Sequence, residues 1–131
     1  MPEGVGYGPQ NTASIGKELN VIGKHIYGLS GTKAVNNTES DLINYTSGNF
    51  YIVGTFQPSI HEDTSDNMFF KIYINALEVS ATLIGSTTSG TPFEETEIII
   101  PPFTNLRITC DNDSSSTGRS VAAVFTGRVY K

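Results

Sequence analysis

The alternation of apolar and polar residues from Met68 to Leu83 constrains this chain more than any other stretch. Met68, Phe70, Ile72 and Ile74 fall on one face of an extended segment, and Phe69, Lys71, Tyr73 and Asn75 on the other, because successive strand side chains point to opposite sides. Leu77, Val79, Ala81 and Leu83 then alternate with Glu78, Ser80 and Thr82. The junction at Asn75-Ala76 has room only for a tight turn, and Asn tolerates the left-handed backbone such turns require. The stretch predicts a β-hairpin with one buried face.

The same period recurs along the chain. Leu19 to Gly31 is strand-like but punctuated by Gly23, Gly28 and Gly31, and glycine inside a strand marks a bulge or a close backbone approach. A short strand is expected around Thr32 to Val35, and a short edge strand or loop from Asp41 to Tyr45. From Asn49 to Gln57, Phe50, Ile52, Gly54 and Phe56 alternate with Tyr51, Val53 and Thr55, which reads as a core strand. Residues 58–67 read as a loop. Ile98-Ile99-Ile100 suits a strand buried on both faces or tucked against a partner, and Pro101-Pro102 ends it. A strand resumes from Leu106 to Cys110. The last one, Arg119 to Tyr130, has apolar residues on both faces between Val121 and Phe125, which predicts a central position or an intersubunit contact.

About eight strands joined by polar turns, with no helix of three turns, predict an all-β fold, an antiparallel two-sheet β-sandwich of jelly-roll-like form. Residues 19–131 make up that domain. Residues 1–18 carry four glycines and two prolines and no apolar period. They read as an extended N-terminal arm, in which Val5, Tyr7 and Ile15 are the side chains with most to bury.

Composition narrows the function by exclusion. Eight basic against thirteen acidic residues give a net charge of −5, with no basic cluster to follow a phosphate backbone, so no nucleic acid is expected as a partner. No apolar run reaches the roughly 18 to 20 residues of a membrane helix, and the first residues lack the basic and apolar regions of a signal peptide. No membrane partner is expected, and synthesis in the cytoplasm is. Cys110, on the face shared by Leu106 and Ile108, is the single cysteine and reads as a small buried hydrophobe.

Two loops are rich in oxygen ligands. His61-Glu62-Asp63 with Asp66 forms the densest cluster, but neighbouring loop residues diverge and a metal needs convergence. Residues 111–118 repeat oxygen side chains at alternate positions without the glycine at the sixth position or the acid at the twelfth that a calcium loop uses. No metal and no cofactor is expected at either. The two histidines are isolated, no nucleophile or phosphate-binding motif is present, and no tryptophan offers a sugar platform; the expectation is therefore a non-enzyme.

Several short motifs together resemble small virion structural proteins of marine tailed bacteriophages: the opening Met1-Pro2-Glu3-Gly4-Val5-Gly6-Tyr7-Gly8-Pro9-Gln10-Asn11-Thr12-Ala13-Ser14, then Tyr51-Ile52-Val53-Gly54, Ile74-Asn75-Ala76-Leu77-Glu78-Val79 and Ile100-Pro101-Pro102-Phe103-Thr104. The likeness is to capsid decoration, or cement, proteins. It implies a non-enzymatic structural role on the outside of a capsid, with the major capsid protein as partner, a homotrimer as the working form, and a final location on the virion surface. The candidate interface residues are Val5, Tyr7 and Ile15 of the arm and Ile98, Ile99, Ile100, Val121, Val124 and Phe125 of the strands. A host-glycan-binding receptor or tail-fibre head is the alternative.

Overall fold

The structure, a computed structural model of the chain, describes residues 18–85, 93 and 95–131. The described residues form ten strands, β1 (Asn20–Ile22), β2 (His25–Leu29), β3 (Lys33–Val35), β4 (Ser40–Thr46), β5 (Tyr51–Ile60), β6 (Met68–Ile74), β7 (Leu77–Ile84), β8 (Thr96–Ile100), β9 (Asn105–Asn112) and β10 (Arg119–Tyr130). No helix occurs among them. One sheet runs β4-β9-β6-β7; the other runs β1-β2-β10-β5-β8, with β3 also paired to β10. Every pairing is antiparallel. The expected all-β, two-sheet sandwich is what forms; the expected N-terminal arm lies outside the described residues, apart from Glu18.

The core lies between the sheets. Ile26, Ile52, Phe56, Val121 and Phe125 come from one sheet, and Leu42, Met68, Phe70, Ile72, Leu106 and Ile108 from the other, all essentially without exposed surface. Phe56 and Phe70 meet across the gap with ring centroids 6.2 Å apart and planes tilted by 50°, a geometry aromatic pairs favour. Full burial of such side chains stabilises the fold by about 1.5–3 kcal/mol each. Cys110 is buried beside Leu106 and Ile108, as its alternation predicts, and burial pushes its thiol pKa up.

β10 is the longest strand and is central, paired with β2 and β3 on one side and β5 on the other. Gly127 lies directly opposite Gly54, where a Cβ on Gly127 would sit 2.5 Å from the Val53 carbonyl oxygen. The ring of Phe125 fills the space beside Gly54.

Two sequence expectations need correction. Residues 58–67 are not loop throughout, because β5 continues to Ile60 through Pro58. The Ala123 N–H donates to Ser30 Oγ and its carbonyl accepts from the Ser30 N–H, so Ala123 spends neither group on Pro58 opposite it. The proline nitrogen therefore faces the other flank, where β8 pairs with β5 only as far as Phe56. A missing N–H costs nothing there.

The second correction concerns the hairpin. Its turn is as predicted, with Asn75 and Ala76 both at positive φ, 51° and 68°. In β6, Met68, Phe70 and Ile72 are buried as expected. In β7 the apolar set is not buried: Leu77 is 69% exposed, and Val79 and Leu83 are each 52% exposed. Leu77, opposite Ile74, lies at the turn before any irregularity; beyond it the cause is a register shift, since Tyr73 pairs with Glu78 whereas Ile72 pairs with Ser80. Val79 is thus an extra residue, a bulge, and a one-residue slip sends every later side chain to the opposite face.

Candidate interaction surface

The two sheets end on one flank in β7 and β8, edge strands of the four-stranded and the six-stranded sheet respectively. Between them is an opening of about 340 Å³, walled by Phe56, Pro58, Ile84 and Phe93 with Thr82 and Thr96. The bulge places Leu83 beside Phe69 and Ala81 beside Lys71 on the outward face of β7, so an apolar row runs along a strand that has no outer neighbour among the described residues. On β8, Ile100 is buried and Ile98 half-buried, while Ile99, opposite Val53, points outward at 65% exposure. Edge strands with free backbone groups and apolar side chains are templates for another chain, and contiguous exposed apolar surface marks interaction sites.

The strand residues named from sequence are therefore divided by the fold. Ile100, Val121 and Phe125 lie inside the sandwich with no free surface, because their strands face the opposite sheet at those positions. Ile98 and Val124 are half-buried and Ile99 is exposed. Val5, Tyr7 and Ile15 lie outside the described residues. The row on β7 was missed in the sequence because alternation gives a face its composition and not its direction.

The outer surface of the four-stranded sheet holds charges that answer one another. Tyr73 donates its hydroxyl to Glu39 Oε2 at 2.7 Å, and Thr109 donates to the same oxygen at 2.5 Å. Burial acts to raise the Glu39 pKa, but these two hydrogen bonds, helped by Arg107 and Lys71, hold it below the ordinary carboxylate value. The bond to Glu39, with burial, pushes Tyr73 up to about 12. Arg107 Nε donates to Asp41 Oδ1 at 2.6 Å and its guanidinium lies 4.9 Å from the Tyr73 ring centre. Lys71 lies 3.9 Å from Glu78 and 4.9 Å over the Phe69 ring. This network braces the sheet.

The acidic loop after β5 is also tied. Arg119 donates from Nη1 to Glu62 Oε2 at 3.0 Å and from Nε to Asp66 Oδ2 at 2.9 Å. Glu62 also accepts the Ser120 N–H at 2.8 Å, and this bond, with Arg119, lowers its pKa. Asp66 accepts from Asn112 Nδ2 at 2.9 Å, and that bond, then Arg119, lowers its pKa. Asn112 organises the following loop, its Oδ1 accepting the N–H groups of Ser114 and Ser115 while Nδ2 donates to the Thr117 carbonyl. A guanidinium thus sits between Glu62 and Asp66, two of the three carboxylates in the cluster read from the sequence. Among the described residues no group of three His, Cys, Asp or Glu side chains is placed to hold a metal ion. His61 stands apart, 3.2 Å from Thr32 Oγ1.

Sheet order, pairing and core define the class as an antiparallel two-sheet β-sandwich. No family model matches the chain, and no curated protein matches it. Among solved structures, the chain is similar to one from the disulfide-linked pili that form Bacillus endospore appendages, at 7% identity and a TM-score of 0.49, covering 93% of this chain and 98% of that one. It is also similar to a family 35 carbohydrate-binding module from Clostridium thermocellum, at 16% identity and a TM-score of 0.42, covering 76% of this chain and 90% of that one.

Proposed function

We propose that this protein is a non-enzymatic structural component of a tailed-phage virion, a decoration or cement protein that binds the outside of the capsid and stabilises it. The observation that carries the reading is the apolar row of Val79, Ala81 and Leu83 on the outward face of an edge strand that has no outer neighbour among the described residues. Burying such a row removes apolar surface from water at about 25 cal/mol per Å², and an edge strand adds backbone hydrogen bonds to whatever lies against it. The major capsid protein is the partner in this reading, three copies of the chain form the bound unit, and residues 1–18 contact the shell. The resemblance of the sequence motifs to cement proteins supports that choice of partner.

Re-addition to empty shells tests it. The purified chain should co-sediment with capsids stripped of their surface proteins, raise the temperature at which the shells break, and appear in threes by cryo-microscopy. A chain that leaves shells unbound, or that stays a monomer both free and bound, defeats the proposal.

A further inference from the structure

A second surface, on the six-stranded sheet, has different chemistry. Tyr51 of β5 pairs directly with Tyr130 of β10, and their rings stack with centroids 5.1 Å apart and planes 14° from parallel. Both rings stand outward, each about two-fifths exposed. Arg128, two residues before Tyr130, shares that face. The Gly23-Lys24 turn closes over the same end, anchored where the Val129 N–H donates to the Lys24 carbonyl at 2.8 Å. The tyrosines, Lys24, Arg128 and Lys131 line a groove of about 460 Å³, within the range of small-ligand sites.

The charge at this groove is out of keeping with the rest of the chain. In a protein of net charge −5, three cations converge on one groove. Lys71, Arg107 and Arg119 are each held by a carboxylate, whereas no ion pair among the described residues engages Lys24, Arg128 or Lys131. Cations gathered around a half-exposed aromatic pair suit a ligand with both negative charge and a ring face bearing C–H groups.

We infer that the groove bounded by Tyr51, Tyr130, Lys24, Arg128 and Lys131 binds a short acidic oligosaccharide, one whose sugar rings carry carboxylate groups. The sugar packs against the exposed surface of the tyrosine pair, and the carboxylates meet the lysines and the arginine in charge-assisted hydrogen bonds. Single-stranded nucleic acid fits less well. It needs separate rings on which successive bases stack, and here the two rings stack on each other. The overall negative charge also repels a long polyanion, and the cations lie at one end of the sheet without extending into a track. The inference goes beyond the cement reading and does not rest on it.

Calorimetric titration of the full chain decides it, with trigalacturonate, a neutral trisaccharide and an oligothymidylate of matched charge as probes. The acidic trisaccharide should bind, the neutral one at least tenfold more weakly, and affinity should fall as salt rises. Arg128→Gln and Lys24→Gln should each weaken binding about tenfold, the usual effect of losing a charge-assisted hydrogen bond, and Tyr51→Ala should weaken it further. No binding of trigalacturonate, equal binding of the neutral sugar, or tighter binding of the oligothymidylate overturns the inference. If Tyr51→Ala does not fold, the double variant Arg128→Gln/Lys24→Gln decides alone, since both side chains lie outside the core; unchanged affinity in that folded variant also overturns it.

Discussion

Phe70 of β6 stands opposite Thr82 of β7, one residue beyond the Ala81 that a bulge-free two-residue turn would set against it. Through that displacement the inward side of β7 carries Ser80 and Thr82, and the outward side carries Ala81 and Leu83. An edge that alternation would have buried is thereby presented to solvent.

The register can be trapped covalently. Lys71 lies opposite Ala81, and directly opposed strand residues bring their Cβ atoms to about 4.5–5.5 Å. The double variant Lys71→Cys/Ala81→Cys should therefore cross-link under mild oxidation, and Lys71→Cys/Ser80→Cys should not. Mass spectrometry of the non-reduced chain reads the outcome, and the reverse pattern would restore the bulge-free register.

Substitutions on the two halves of the hairpin should separate folding from docking. Val79→Lys and Leu83→Lys alter exposed side chains and should shift stability by no more than about 0.5 kcal/mol, while sharply reducing co-sedimentation with shells. Ile72→Ala, in the core of the same sheet, should cost about 2–5 kcal/mol. Chemical denaturation measures the first effect and pelleting the second; edge lysines that leave shell binding intact would remove the flank from the proposed interface.

The crossing of Gly54 and Gly127 leaves no space for a methyl group. A Cβ on Gly127 would meet the Val53 carbonyl oxygen at 2.5 Å and Gly54 Cα at 2.7 Å, both main-chain atoms with little freedom to move. Gly127→Ala should destabilise the fold by about 1–3 kcal/mol or more through overpacking of the central strand pair. Denaturant midpoints check this, with Gly118→Ala as the control, where the nearest atom is the Ala34 side chain at 3.7 Å.

Arg119 joins the loop after β5 to the start of β10 through Glu62 and Asp66. Arg119→Gln removes the charge that holds both carboxylates and should speed amide exchange and proteolytic nicking in residues 61–67 and 113–118, while the central pairing of β10 with β5 keeps its protection. Hydrogen exchange followed by mass spectrometry distinguishes local loosening from global unfolding.

The folded pKa values of Glu39, Glu62 and Asp66 lie below their ordinary values. Their contribution to stability is present above the unfolded carboxylate pKa and is lost as pH falls through the depressed folded values. Tyr73, raised to about 12 from 10.0, contributes stability that is complete below the unfolded value and lost as pH rises towards the folded one. Asp111 opposes the acid trend: burial, with Asp113 and Glu39 nearby, raises its pKa against the pull of Lys71, so it costs stability once pH exceeds its unfolded value. Stability should therefore decline in acid and again between about pH 10 and 12. Melting temperatures across pH check this, and Asp111→Asn should raise the neutral-pH value.

The period of two in Met68 to Ile74, Tyr51 to Gln57 and Arg119 to Tyr130 made strands readable, because face alternation is a local property of an extended backbone. Cys110 was readable for the same reason, as was the left-handed turn at Asn75-Ala76. The continuation of β5 through Pro58 was not, since it depends on Ala123 turning its hydrogen-bonding groups towards Ser30. Nor was the role of Asn112, whose partners lie on a loop and on the distant Asp66.

By itself, the sequence determined that the chain is built of strands, roughly where they run, and that its composition supplies a core. Which face of β7 meets water, which of the three consecutive isoleucines is exposed, and where Lys24 and Arg128 gather beside Tyr51 were decided only in the tertiary structure. The physical reason is that register, strand order and bulges are set by contacts between segments far apart in the chain. A one-residue slip reverses what a side chain touches while leaving the local pattern unchanged.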